Sequence, residues 1–197
     1  MWESNDKKNY NIHKHHNVGQ ICNDTFSLKI RELAGMIENK TFLEIGTWNG
    51  LGSTKQFVDI LKTRNDDYIF YTLECNSDKC NDARNLYITE KKILILNEVL
   101  FNNQPDNFYD IFPQCANNPM FQEWHKVDME NMKKCNLFLE RDDLPDVFDV
   151  ILLDGGEFTT YFEFQLIKDM CKYLLLDDIN VAKSTKKIVD NFKLEIV

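Results

Sequence analysis

The stretch LEIGTWNGLGS, residues 43–53, holds three of the chain's seven glycines within seven positions, directly after a short apolar run. They are Gly46, Gly50 and Gly52, and an acid, Glu44, stands two positions before the first. Glycine permits tight turns and close approach of the backbone to a neighbour. Such a turn between a buried strand and a helix presents the free N–H groups of the helix start to one point in space.

Outward from this turn the chain alternates helix and strand. KTFLEIG, 40–46, reads as a buried strand, and FSLKIRELAGMIEN, 26–39, before it spaces Phe26, Ile30, Leu33 and Ile37 as an amphipathic helix. STKQFVDILKTR, from Ser53, is a second helix with Ser53 or Thr54 as its expected N-cap. DYIFYTLEC, 67–75, is a strand, and 76–89 is a helix capped by Asn76 or Ser77. KKILILNEVL, 91–100, is a third strand. Residues 101–146, with Pro105, Pro113, Pro119 and Pro145, read as a long irregular insertion containing helix at about 127–140. VFDVILLDGG, 147–156, is a strongly apolar strand, 158–173 a helix and LLLDD, 174–178, a strand. A helix at 184–192 and a strand begun by KLEIV complete the pattern. The alternation predicts an α/β fold: a doubly wound, mainly parallel sheet with helices on both faces. Residues 1–24 are expected to be a flexible polar arm that docks at its end, and 25–197 a single domain carrying the insertion at about 101–146.

Composition narrows the function. A formal charge of −9 over 197 residues disfavours binding along a phosphate backbone and suits small molecules or a cationic ligand. Six cysteines without a CxxC pair read as reduced thiols in a cytoplasmic setting. Residues 1–25 are polar, and no apolar run approaches the ~20 residues that span a bilayer, so neither a signal peptide nor a membrane partner is expected. His13, His15 and His16 sit in the polar arm and read as solvated; His125, beside Trp124, reads as a surface or packing residue.

Ligands of doubly wound sheets bind beyond the carboxyl ends of the strands. Three strands are expected to end there in acids: Glu74, Asp154 and the pair Asp177/Asp178. The glycine turn is expected to make room for a nucleoside-bearing ligand whose ribose hydroxyls meet Glu74. The spacing is not the G-x-G-x-x-G of dinucleotide sites. E-x-G-x-x-x-G, formed by Glu44, Gly46 and Gly50, with Glu74 after the second strand, resembles class I S-adenosylmethionine-dependent methyltransferases over roughly residues 26–192. The resemblance implies that Glu44, Gly46, Thr47, Trp48 and Gly50 border the methionine part and that Glu74 holds the ribose. Cys75 and Asn76 then lie near the adenine edge, with Asn97 touching it, and Asp128 joins them if the insertion folds back.

DGGEFTTYFEF, 154–164, followed by LLLDDIN, 175–180, is similar to the small-molecule O-methyltransferases of the macrocin and caffeoyl-CoA type. That resemblance implies Asp154 and Glu157 as catalytic residues. It also implies a divalent cation such as Mg²⁺ held by Asp154, Asp177 and Asp178, or Asn180. Carboxylates suit a hard cation, which would lower the pKa of an acceptor hydroxyl. Relatives often carry a histidine where this chain has Glu157. The family's glycine pair before the fifth strand is replaced by CKYLLLDD, and KLEIV leaves room for one strand at most, so a truncated or minimal sheet edge and self-association there are expected. The implied activity is methyl transfer to an oxygen of a small molecule or sugar. A non-catalytic nucleoside-binding domain is the second reading.

Overall fold

The computed structural model of the chain describes residues 21–178 and Ile188. Helix α1, Thr25–Gly35, opens on a reciprocal cap in which Asp24 accepts from the Ser27 N–H and the Ser27 hydroxyl accepts from the Asp24 N–H. The apolar spacing predicts this helix through Asn39, but it stops at Gly35. Asn39 Nδ2 donates to the Leu33 carbonyl and Arg64 Nη1 to that of Ala34, so side chains satisfy the terminal carbonyls. Ile37 is left 68% exposed.

Two βαβ units follow: β1, Thr41–Ile45; α2, Ser53–Leu61; β2, Ile69–Leu73; α3, Ser77–Leu86; and β3, Ile93–Leu96. The region after β3 contributes β4, Glu98–Val99; α4, Phe108–Ile111; a 3-10 turn, Pro113–Asn117; α5, Pro119–Met132; and β5, Asn136–Leu137. The chain then re-enters the main sheet as β6, Phe148–Leu153, passes through α6, Thr160–Ile167, and reaches β7, Cys171–Leu176. The main sheet runs in the order β3-β2-β1-β6-β7 with every pair parallel. This is the doubly wound α/β sheet expected. Strand order reverses between β1 and β6, and a crevice opens beyond their carboxyl ends.

The strands are apolar on both faces because both are covered. Phe42, Phe70, Val150 and Leu152 face one core with Ile30, Leu33, Phe57 and Ala83. Their neighbours Leu43, Tyr71, Ile151 and Leu153 face the other, with Phe138, Phe164 and Ile167. The alternation is the two-residue period of the pleat.

Other boundaries differ from expectation as well. The insertion helix lies at Pro119–Met132, not near 127–140, because Pro119 occupies the first helical turn and the Asn118 side chain caps it. Helix α6 ends at Ile167, not Tyr173. Cys171–Leu176 pairs with β6 instead, from Phe148↔Cys171 to Leu153↔Leu176. The insertion is pinned at both ends. Phe108, Phe112 and Cys115 pack on Phe158 and Phe162, while Met129, Met132 and Cys135 pack on Val99. His125 is buried and stacks on Phe108 with ring centroids 3.9 Å apart.

Ile21 is buried in the first core. Residues 1–20, with the three arm histidines, lie outside the described residues. So do Asn180, the terminal strand KLEIV and, apart from Ile188, the expected 184–192 helix. No helix among the described residues is long and apolar enough to cross a membrane.

Candidate functional site

The turn after β1 is anchored from below. Gly46 N and Thr47 N both donate to the Leu73 carbonyl, and the Thr47 and Thr72 hydroxyls are 2.5 Å apart. Glu44 lies beneath the turn, fully buried, and accepts from the hydroxyls of Ser53 (2.5 Å), Thr54 (2.6 Å) and Thr72 (2.5 Å). Ser53 and Thr54 therefore do not cap α2, whose N-cap is Gly52 with no side-chain bond. Burial pushes the Glu44 carboxyl up to about 7, against the pull of the three hydroxyl donors.

The glycines answer to protein neighbours. Gly46 has φ +105°, and a Cβ there would stand 2.2 Å from the Asp154 carbonyl oxygen. Gly50 has φ +78°, and its Cβ would stand 3.0 Å from both Ala83 and the Tyr87 ring. Gly46 lets the ends of β1 and β6 close together, and Gly50 lets the turn seat on α3. Both glycines are thus required by packing, and of the two only Gly46 lines the cleft.

Glu74, 7% exposed, sits where β2 ends. Its Oε2 accepts from Trp48 N at 2.6 Å and its Oε1 from Asn76 N at 2.8 Å. Burial nonetheless pushes its pKa up, with those two N–H groups opposing. Trp48 is held in the left-handed region at φ 49°, its indole 57% exposed with the Lys79 ammonium 4.7 Å above the ring. Asn76 caps α3 by accepting from Asp78 N and Lys79 N.

These residues border a cleft of about 1360 Å³. Of the residues expected at the site, Gly46, Thr47, Trp48, Glu74, Cys75, Asn76 and Asp154 line it. Glu44, Gly50, Asn97 and Glu157 do not. Asn97 works behind the wall: its Nδ2 donates to the carbonyls of Glu74 (2.7 Å) and Cys75 (3.1 Å), tying the ends of β2 and β3. Its successors Glu98 and Val99 reach the cleft instead. Glu98 Oε1 pairs with Arg141 at 3.1 Å, while its Oε2 is buried with no hydrogen-bond partner among the described residues.

The insertion folds back over the cleft. Helix α5 supplies Asp128, Asn131 and Met132, and α6 supplies Glu163. A Cβ at Gly156 would stand 2.6 Å from Asp128 Oδ2, and one at Gly155 2.8 Å from Glu163 Oε2. The DGG sequence thus makes way for two carboxylates. Burial, then the charges of Glu74 and Glu157, push Asp128 up to about 6. Sequence alone does not single out Glu163, because a glutamate inside a helix carries no local mark of pointing into a cleft. The Gly155–Gly156 pair is the signal that marks its neighbourhood.

The expected metal set does not assemble. Asp177 and Asp178 do not line the cleft with Asp154, and Asp178 adopts φ 55° at an exposed position. Among the described residues no group of three or more His, Cys, Asp or Glu is placed to hold a metal ion. The expected ligands among the described residues therefore do not fit a divalent cation, and Asn180 lies outside them.

No protein-family model matches the chain, and no curated protein sequence does. Among solved structures it is similar to a Staphylococcus aureus protein provisionally described as a caffeoyl-CoA O-methyltransferase. Identity is 19% and the TM-score 0.49, over 81% of this chain and 59% of that one. It is also similar to an O-methyltransferase from Bacillus cereus in complex with SAH, at 15% identity and TM-score 0.45, over 86% of this chain and 60% of that one. The chain therefore spans less than two thirds of the length of either structure.

Proposed function

We propose that this cleft binds S-adenosylmethionine and that the chain transfers its methyl group to an oxygen of a small molecule or sugar. The observation that carries the reading is Glu74. Two backbone N–H groups fix its carboxylate at the switch-point edge. A carboxylate has about four lone-pair sites, so acceptor capacity remains for a ribose diol. The buried, unsatisfied Glu98 Oε2 adds an acceptor for a ligand N–H in the same cleft. The volume exceeds the ~300–1000 Å³ usual for one small ligand, which suits a cofactor with an acceptor beside it.

When bound, S-adenosylmethionine supplies an electrophilic methyl group on a positively charged sulfur. The chain's residues bind and orient. Glu74 accepts from the ribose, the Gly46–Thr47 turn and the start of α2 shape the floor, and α5 covers the cleft from water. Asp154, at the end of β6, orients the acceptor hydroxyl and takes its proton. Glu157, expected to share that role, stands outside the lining. A cytoplasmic setting is proposed with this activity, and all six cysteines carry free thiols.

Calorimetric titration with S-adenosylmethionine and S-adenosylhomocysteine tests the reading. Micromolar binding is expected, weakened about 10- to 100-fold, or ~1.4–2.8 kcal/mol, by Glu74→Gln. A folded wild-type protein that binds neither compound removes the proposal. Binding without transfer to any hydroxyl acceptor favours the nucleoside-binding domain.

A further inference from the structure

The cleft wall is lopsided in charge. Glu74, Glu98, Asp128, Asp154 and Glu163 line it, against Lys79 as the one Lys or Arg among the described lining residues. Several of these charges are already engaged: Glu98 by Arg141, Glu74 by two backbone N–H groups, and Lys79 by the Trp48 ring. Asp128 differs. Burial and the like charges of Glu74 and Glu157 act on its carboxyl, and no hydrogen bond among the described residues offsets them.

Its position is equally specific. Oδ2 rests against Gly156 on the β6 side. On the β2 side its charge reaches Glu74 and the Cys75 thiol, which is pushed up chiefly by burial and then by the charges of Glu74 and Asp128. Asp128 thus lines the same cleft as Gly156 and Glu74, with its carboxylate against the glycine pair that follows β6.

We propose that Asp128, carried in by the inserted helix α5, is a specificity-determining residue that selects positive charge at the reacting end of the cleft. It holds S-adenosylmethionine, with its sulfonium, more tightly than the thioether left after transfer. This rests on the cofactor proposed above. A methyl C–O bond forms to the acceptor oxygen, whose proton passes to Asp154, as the methyl C–S bond breaks; its electron pair stays on sulfur and cancels the sulfonium charge. Loss of that charge removes the attraction of Asp128 and favours exchange of product for fresh cofactor.

The test compares three ligands by calorimetry at pH 8: S-adenosylmethionine, sinefungin, which carries an ammonium in place of the sulfonium, and neutral-sulfur S-adenosylhomocysteine. Asp128→Asn keeps size and shape. It is expected to weaken the two cationic ligands about tenfold and to change S-adenosylhomocysteine less than twofold. Asp128→Glu, which keeps the charge, is expected to retain most of the preference. Equal weakening of all three ligands by Asp128→Asn, or no change in any, overturns the proposal while leaving the cofactor assignment standing. Failure of the wild type to bind any of the three ends the cofactor reading, and this inference with it.

Discussion

Glu44 carries the logic of the site at the scale of one residue. Three hydroxyls donate to it in full burial, and it forms no ion pair among the described residues. Hydroxyls stabilise a carboxylate less than water does, so the folded chain holds the Glu44 proton to about pH 7, against 4.5 in an exposed carboxyl. Between those values the native state binds a proton that the unfolded state has released. Stability from this group is therefore full below pH 4.5 and falls as pH rises toward 7, by on the order of 3 kcal/mol. Asp128, raised to about 6, and Glu74, also raised, act in the same direction. Urea unfolding of the ligand-free protein from pH 4 to 8 should show a shallower decline in Glu44→Gln than in wild type. Parallel curves would show that Glu44 ionises freely in the fold. The motif acid is thus a tie between β1, β2 and the start of α2, a role that its place in E-x-G-x-x-x-G does not reveal.

At the scale of elements, strand ends are set by side chains that reach across them. Asn97 donates to two carbonyls at the end of β2 although it does not line the cleft. Asn97→Ala strands those carbonyls and is expected to cost about 1–3 kcal/mol of stability. Because Glu74 is one of the residues held, cofactor affinity should fall as well. Thermal melts and titration of the same variant check both effects, and unchanged affinity would separate the β2–β3 tie from the site. Helix boundaries follow the same rule. Pro119 reads as a breaker within a polar stretch, yet at the first turn of α5 its missing N–H costs nothing. Its placement brings Asp128 over the cleft.

At the scale of the molecule, β1 and β6 are buried on both faces and flanked by strands on both sides. β7 is the outer strand of the described sheet on its side, with Lys172 and Tyr173 exposed. Local opening follows the number of packed neighbours. Amides of Leu43, Ile151 and Leu152 should therefore exchange with deuterium far more slowly than those of Lys172 and Tyr173. Comparable rates across the sheet would mean that β1 and β6 open together with its edge. The switch point that bears the cleft then rests on the most stable part of the fold, with its cover supplied by the less regular insertion.

Much of this was legible in order and period. Alternating apolar strands and amphipathic helices dictated the parallel sheet. The apolar run that ends in Gly46 marked the turn, and Glu74 and Asp154 stood where strands had to end, because backbone geometry and burial act locally. Other features arise only when distant segments meet. Gly46 faces Asp154, Gly155 and Gly156 yield to Glu163 and Asp128, and Asp177 and Asp178 stay out of the cleft lining that Asp154 joins. No local pattern encodes those distances, since each depends on how closely two separately folded elements approach. The amino-acid order alone therefore determined the sheet and the edge at which a ligand would sit. The tertiary packing decided which carboxylates meet there and which are sealed beneath it, because contact and desolvation depend on separation in space.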